Sequence, residues 1–383
     1  MKQLLFIFLI AVHLSACTNN KTLFVSTTGN DSNPGSKDQP FQSIERARDE
    51  VRKLSKSANI TVFLREGIYN LNESLEFDQS DSGAEGKTIV YSAFENEKVA
   101  VMGGLSLPIK SVKNATKNVK TINLKDLEIT KYGKLRNVGF ARAYGPSWLE
   151  LFVNKKAFHL ARYPNDGGIH VGKLLDKGSV PGDGQEPRGG KFTYPDNQPS
   201  MWAKSKEVWI AGYFNRGWAE DAVQLAEIDT INKTFTTGQP HVYGFGSGKS
   251  WMRWYAFNIL EELDAPGEYY LDRETGELSF YYDSDQPIET IDVSVLEEPL
   301  IVLEGAKNIT FSGITFENSR GIGVYMERTN NVKVENCTFR NLGATAVVIG
   351  KGVKPNERIR QDATLGEPSS REIGSLDLYM YNN

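Results

Sequence analysis

The sequence predicts an all-β chain. Its two ends wind into a right-handed parallel β-helix, one helix caps the start, and a β-sandwich or barrel-like domain is inserted between. Three observations predict this. Residues 301–349 repeat at a fixed interval of 23: Asn308-Ile309-Thr310-Phe311 returns as Asn331-Val332-Lys333-Val334, Phe316 as Phe339, and Ile301 as Val324 and then Val347. Within each unit the apolar residues alternate, as in Ile301/Leu303, Val324/Met326 and Val347/Ile349, which is strand spacing. Glycine is abundant, 35 residues, as a turn-rich β protein requires. A period in the low twenties means a solenoid, because each unit buries its apolar face only by stacking on the next. Leucine-rich repeats share the length, but their leucine-plus-Asn consensus is missing.

In order along the chain, Lys2 precedes an apolar run from Leu4 to Leu14 and then Ser15-Ala16-Cys17. That is a charged n-region, a short h-region and a small-residue cleavage site, too short to span a bilayer. Leu14-Ser15-Ala16-Cys17 resembles the lipobox of bacterial lipoproteins, which implies acylation of Cys17 and a lipid-anchored protein of the cell envelope, with the outer membrane expected. Residues 1–17 are then a signal. Cys17 and Cys337 are the two cysteines of the chain; Cys337, alternating with Phe339, reads as a buried small hydrophobe.

Residues 22–105 read as cap and first coils. Leu23-Phe24-Val25-Ser26 is a strand, followed by the turn cluster Gly29-Asn30-Asp31-Ser32-Asn33-Pro34-Gly35. Ser43 is an N-cap, and Ile44, Ala47, Val51 and Leu54 at helical spacing predict a helix over 43–55 that covers the open end of the core. Ile60–Leu64, Gly67–Tyr69, Leu75–Phe77 and Thr88–Tyr91 follow as strands. Residues 106–296 break the coil pattern and hold all six tryptophans. There Tyr269–Leu271 and Leu278–Tyr282 predict a hairpin, with Gly276 suited to a left-handed turn position, and Trp148–Asn154 predicts another strand. Residues 297–383 return to coils. Asn308 and Asn331 are expected to stack as a ladder that satisfies turn carbonyls, while Asn318–Gly321 and Asn341–Gly343 read as turns.

Phe24-Val25-Ser26 with the 29–35 cluster and Pro40-Phe41 resembles the opening of secreted pectate-lyase-like β-helix enzymes. Arg65-Glu66-Gly67-Ile68-Tyr69 and Asp81-Ser82-Gly83 continue the likeness. Glu261-Glu262-Leu263-Asp264-Ala265-Pro266-Gly267-Glu268-Tyr269-Tyr270-Leu271-Asp272 resembles a segment of glycoside hydrolase family 141 and its uncharacterised relatives. The resemblance implies a right-handed β-helix with an all-β insertion, and an activity of the fucosidase or xylanase kind. Relatives continue with further coils, where their catalytic acids are expected. Ser375–Asn383 stops as another strand begins, so the reading frame is expected to be truncated.

Lys plus Arg total 44 against 48 Asp plus Glu, and no basic cluster stands out, so nucleic acid is excluded as a partner. A monomer acting on a polysaccharide or oligosaccharide is expected. No cofactor or metal motif appears; a calcium site of scattered Asp and Glu, as in β-helix lyases, leaves no motif to read. Glycoside hydrolysis needs two carboxyl groups. The densest candidate is Asn215–Asp221, where Trp218 can stack on a sugar, Arg216 can hold a uronate or sulfate, and Glu220 or Asp221 can move a proton. The alternative for this stretch is a solvated loop with a packed tryptophan. A second chemistry, β-elimination or dehydration at a uronate, needs a cation and a base, for which Arg216, His241 and an outward-pointing Tyr325 are candidates. A third reading is a lipoprotein that binds glycans without cleaving them.

Overall fold

A computed structural model describes residues 20–349 apart from 55–57, 96, 141, 143–144 and 181–182. The lipobox with Cys17, and the segment 351–383 with its expected strand, lie outside the described residues.

Three parallel sheets form the coil. Lys21–Val25, Ile60–Leu64, Ile89–Ala93, Lys307–Ser312 and Asn330–Glu335 make the first. Gly67–Asn70, Val99–Met102, Ile314–Ser319 and Thr338–Leu342 make the second. Leu75–Phe77, Ile301–Glu304, Val324–Glu327 and Val347–Ile349 make the third. The register explains the repeat: Ile301 pairs with Val324 and Val324 with Val347, so one interval is one full turn of the coil. Inward side chains fill a single core in which Phe77, Tyr91 and Phe311 touch with ring centroids 5.2–5.6 Å apart. The helix runs Ile44–Lys53, with the Ser43 hydroxyl accepting from the Arg46 amide at 3.1 Å. Its Ile44, Ala47 and Val51 close the end of that core.

Asparagines hold the corners. Asn308, Asn318, Asn331 and Asn341 all take φ of 51–55°, a left-handed conformation that asparagine tolerates better than most residues. Asn331 Nδ2 donates to Asn308 Oδ1 at 2.8 Å, and Asn308 Nδ2 donates to the Gly83 and Ala84 carbonyls at 3.0 Å. Asn318 and Asn341 are a second ladder (Asn341 Nδ2 to Asn318 Oδ1, 3.0 Å) and lie within strands, not in the separate turns the sequence predicts. The reason is that a single left-handed residue bends the chain while both flanks stay paired. Cys337 is half-buried against the core rather than enclosed by it.

The coil is interrupted within one turn. It stops at Met102 in the second sheet and resumes at Ile301 in the third, where Ile301 pairs with Leu75. Between them, Gly104–Ser106 and Ile291–Ser294 run antiparallel and close the base of the insertion. Leu151–Val153 and Lys156–Ala157 complete that sheet. A five-stranded sheet contains the expected hairpin, Glu268–Leu271 and Glu277–Tyr281, with Gly276 at φ 77°. A larger sheet is built round Trp209–Gly212, Asp221–Asp229, Thr234–Thr237 and Arg253–Phe257. Two cores serve the insertion, one around Leu151 and Phe280 and one around Trp202, Phe214 and Phe235.

Replacing Asn308 by Ala removes three hydrogen bonds and leaves a Cβ residue in left-handed backbone. The expected loss is about 2 kcal/mol, read from the urea midpoint. Asn308→Gly, which relieves the backbone alone, recovers about 1 kcal/mol of it.

Candidate functional site

Within the insertion lies a cavity of about 620 Å³, walled by Trp148, Phe158, Tyr255, Phe257 and Tyr269 and edged by Glu150, Glu220, Asp221 and Arg162. The extended chain leading into the strand Leu151–Val153 places the first acid. Leu149 and Leu151 are fully buried in the insertion core, so Glu150 between them turns to the other face. Its amide donates to the Ser294 hydroxyl at 2.9 Å, and Ser147 Oγ donates to Glu150 Oε2 at 3.1 Å. Burial in this half-enclosed position raises the Glu150 carboxyl above the ordinary glutamate value. The sequence reading missed Glu150. The signal was present, a lone acid between apolar Leu149 and Leu151, which is costly to bury unless the site uses it.

The stretch 215–221 divides between three surroundings. Asp221 turns inward, 1% exposed, and is gripped by Arg142, whose Nε donates to Oδ1 at 2.7 Å and Nη2 to Oδ2 at 2.5 Å. Arg142 also donates to the Pro240 carbonyl. Burial pushes the Asp221 carboxyl up to about 6 despite that guanidinium. This carboxylate is closed off as part of the frame. Glu220 is exposed at the cavity edge, and its carbonyl accepts from the Phe140 amide at 2.7 Å. Gly139 makes this crossing feasible: a Cβ there would stand 2.3 Å from the Glu220 carbonyl oxygen. Arg216 and Trp218 stand on the surface alongside, both exposed.

The three groups considered for elimination are not brought together. His241 is fully buried, with Phe214 and Phe245 rings at 6.0 and 5.8 Å. Its Nδ1 lies 3.1 Å from the Gly244 carbonyl and 3.2 Å from the Tyr243 amide. Burial pushes it down to about 4. It is a packing residue, and the sequence assignment as a base is corrected on that ground. Tyr325 alternates with inward Val324 and Met326 as expected, but it sits on the coil among Val302, Ile322 and Val348. Its hydroxyl donates to Glu327 Oε2 at 2.6 Å, and burial with that carboxylate raises its pKa. A hydroxyl so held is unsuited to act as a base.

The cavity contains one further cation. The Arg162 guanidinium lies 4.0 Å from the Tyr255 ring centre and donates to the Pro164 and Gly167 carbonyls. The segment that carried the family resemblance braces this strand: Glu268 is fully buried and accepts from the amides of Arg162, Asp264 and Ala265. Among the described residues, no group of three or more His, Cys, Asp or Glu is arranged to hold a metal ion.

The raised Asp221 carboxyl has a consequence for stability. Between the ordinary value of 3.8 and about 6 the folded chain binds a proton that the unfolded chain releases. This group's contribution is therefore full below about pH 4 and is lost as pH rises through 6. In Asp221→Asn the fall in stability across that window is expected to be shallower by about 3 kcal/mol, measured by urea unfolding at a series of pH values.

A family model described as right handed beta helix region matches residues 288–361. The uncharacterised protein YwoF of Bacillus subtilis (strain 168) is 36% identical over 104 residues, 27% of this chain and 19% of that protein. A solved structure described as a glycoside hydrolase aligns with a TM-score of 0.68 at 17% identity, covering 85% of this chain and 63% of that one. XylC in complex with xylose aligns with a TM-score of 0.34 at 15% identity, covering 80% and 40%. The chain spans less than two thirds of the length of each of these proteins. The likeness to the glycoside hydrolase structure is one of architecture: the chain is a right-handed parallel β-helix interrupted by an all-β insertion.

Proposed function

We propose that the protein is a carbohydrate-active enzyme that hydrolyses glycosidic bonds in a complex, acid-bearing polysaccharide or its oligosaccharides. One observation carries this reading. A half-buried carboxyl with a raised pKa, Glu150, and an exposed carboxylate, Glu220, edge one cavity whose walls are aromatic. Hydrolysis requires one carboxyl that keeps its proton for the leaving oxygen and a second that acts on water or on the sugar carbon. Glu150 takes the first part because its surroundings disfavour the charged form. Glu220, open to water, takes the second. The aromatic walls suit the C–H faces of sugar rings, and Arg162 supplies a fixed positive charge for an acidic substituent. Likeness of fold to the glycoside hydrolase supports the reading as analogy.

An acid that must be protonated sets the sign of the pH dependence. Activity is expected to fall as pH rises through the raised Glu150 pKa, and Glu150→Gln to lower kcat by about 10²–10⁴-fold and abolish that limb. The assay is release of reducing ends from xylan, pectin and algal polysaccharides. Ultraviolet absorbance from a C4–C5 double bond in the product would replace hydrolysis with elimination.

The reading also includes a cell-envelope location through acylated Cys17, supported by Leu14-Ser15-Ala16-Cys17 after the apolar run. Cells expressing the full chain should incorporate labelled palmitate into it, and Cys17→Ser should not be labelled.

A further inference from the structure

Beside the cavity, the surface presents aromatic rings that folding has left in water. Trp218 is 61% exposed and Trp251 46% exposed. Burying a large apolar side chain is favourable, so two indoles outside the cores forgo that gain. Neither ring is loose. Trp218 meets Phe140 at 4.9 Å and 88°, and Tyr243 at 5.5 Å and 73°. Trp251 Nε1 donates to the Asn215 carbonyl at 3.1 Å, and its ring lies against Gly217, where a Cβ would come within 3.0 Å. Asn215 pins the loop by donating to the Tyr243 and Gly244 carbonyls at 3.0 and 2.9 Å. Arg216, exposed on the same loop, has its guanidinium 5.9 Å from the Tyr243 ring that Trp218 also meets and, among the described residues, pairs with no carboxylate.

This surface runs into the cavity. Phe140 follows Gly139, which lines it, and the Phe140 amide binds the carbonyl of Glu220. Trp218 and Glu220 are two residues apart, so their Cα atoms are no more than about 7 Å apart. A sugar stacked on Trp218 is therefore a close neighbour of one held in the cavity. Rings fixed in advance lose little rotational freedom when a ligand arrives, and an indole offers its face to the C–H side of a pyranose. A guanidinium beside these rings, with no carboxylate partner among the described residues, is complementary to a carboxylate or sulfate on that sugar.

We infer that Trp218, Trp251 and Arg216 form a second sugar-binding position continuous with the cavity, so that the substrate is a chain of at least two sugars with an acidic group on the unit lying outside. This rests on the hydrolytic reading for what happens in the cavity, but the binding itself does not.

The test is a calorimetric and tryptophan-fluorescence titration of full-length Glu150→Gln protein, in which turnover does not intrude, with hexameric oligogalacturonate and with xylohexaose. Oligogalacturonate is expected to bind and to quench fluorescence. Adding Trp218→Ala should weaken it about tenfold, with Trp251→Ala weakening it less. Arg216→Ala should reduce the preference for oligogalacturonate over xylohexaose. Near-ultraviolet circular dichroism checks that each variant is folded; Trp218 is exposed, so its removal should leave the spectrum of the cores intact. Equal affinity with and without Trp218, or no binding of either hexamer, overturns the inference. So does a partner protein that binds through this surface and is not displaced by the hexamer. Failure of hydrolysis with the titrations as stated sinks the catalytic reading alone; hydrolysis with Trp218 inert to both hexamers sinks this one alone.

Discussion

The joint between coil and insertion rests on Arg320. This side chain is nearly buried, its Nε donates to the Ser147 carbonyl at 2.7 Å, and the Ser147 amide donates back to the Arg320 carbonyl at 2.9 Å. Glu297 balances its charge at 3.1 Å, while burial pulls its pKa below the ordinary guanidinium value. A buried cation is costly unless each of its bonds is made, so the geometry tolerates little drift. Ser147 in turn donates to Glu150. From the other side Gly343, on the next coil, leaves room: a Cβ there would lie 1.9 Å from the Ser147 hydroxyl. The parallel coils thus act as a rigid floor that fixes where the insertion holds its acid. Sites supported by regular elements in this way hold their geometry better than sites on loops alone.

What the sequence disclosed and what it concealed divide along one physical line. Features set by local spacing were legible. The repeat interval is the coil length, the Ser43 cap begins its helix, and Gly276 turns its hairpin. The Asn308 ladder was legible for the same reason, since identical side chains one coil apart must meet. Its twin at Asn318 and Asn341 read as turns because positive φ is common in turns and rare in strands. The site was legible only in its neighbourhood. Glu220 and Asp221 are adjacent, yet one faces water and the other Arg142, a partner 79 residues away in sequence. His241 and Tyr325 looked available because nothing local betrays the rings and strands that surround them. Glu150 looked like a strand residue because burial of one face depends on which sheet packs opposite. Tertiary contact decides these cases, and a linear reading has no access to it.

The base of the insertion has a consequence for how the chain acquires its fold. Leu75–Phe77 and Ile301–Glu304 are neighbours in one sheet although the whole insertion separates them. Closing so long a loop is unfavourable in entropy, though the cost grows slowly with length. Ser106 and Asp292, 186 residues apart, are joined by a hydrogen bond of 2.6 Å where the two base strands run antiparallel. Once the insertion has folded, those strands deliver residue 301 beside its partner, and the remaining coils need only neighbouring turns to stack upon. The long-range pairing that the insertion imposes on an otherwise locally stacked solenoid is thereby concentrated in one place, the docking of a hairpin-like stem.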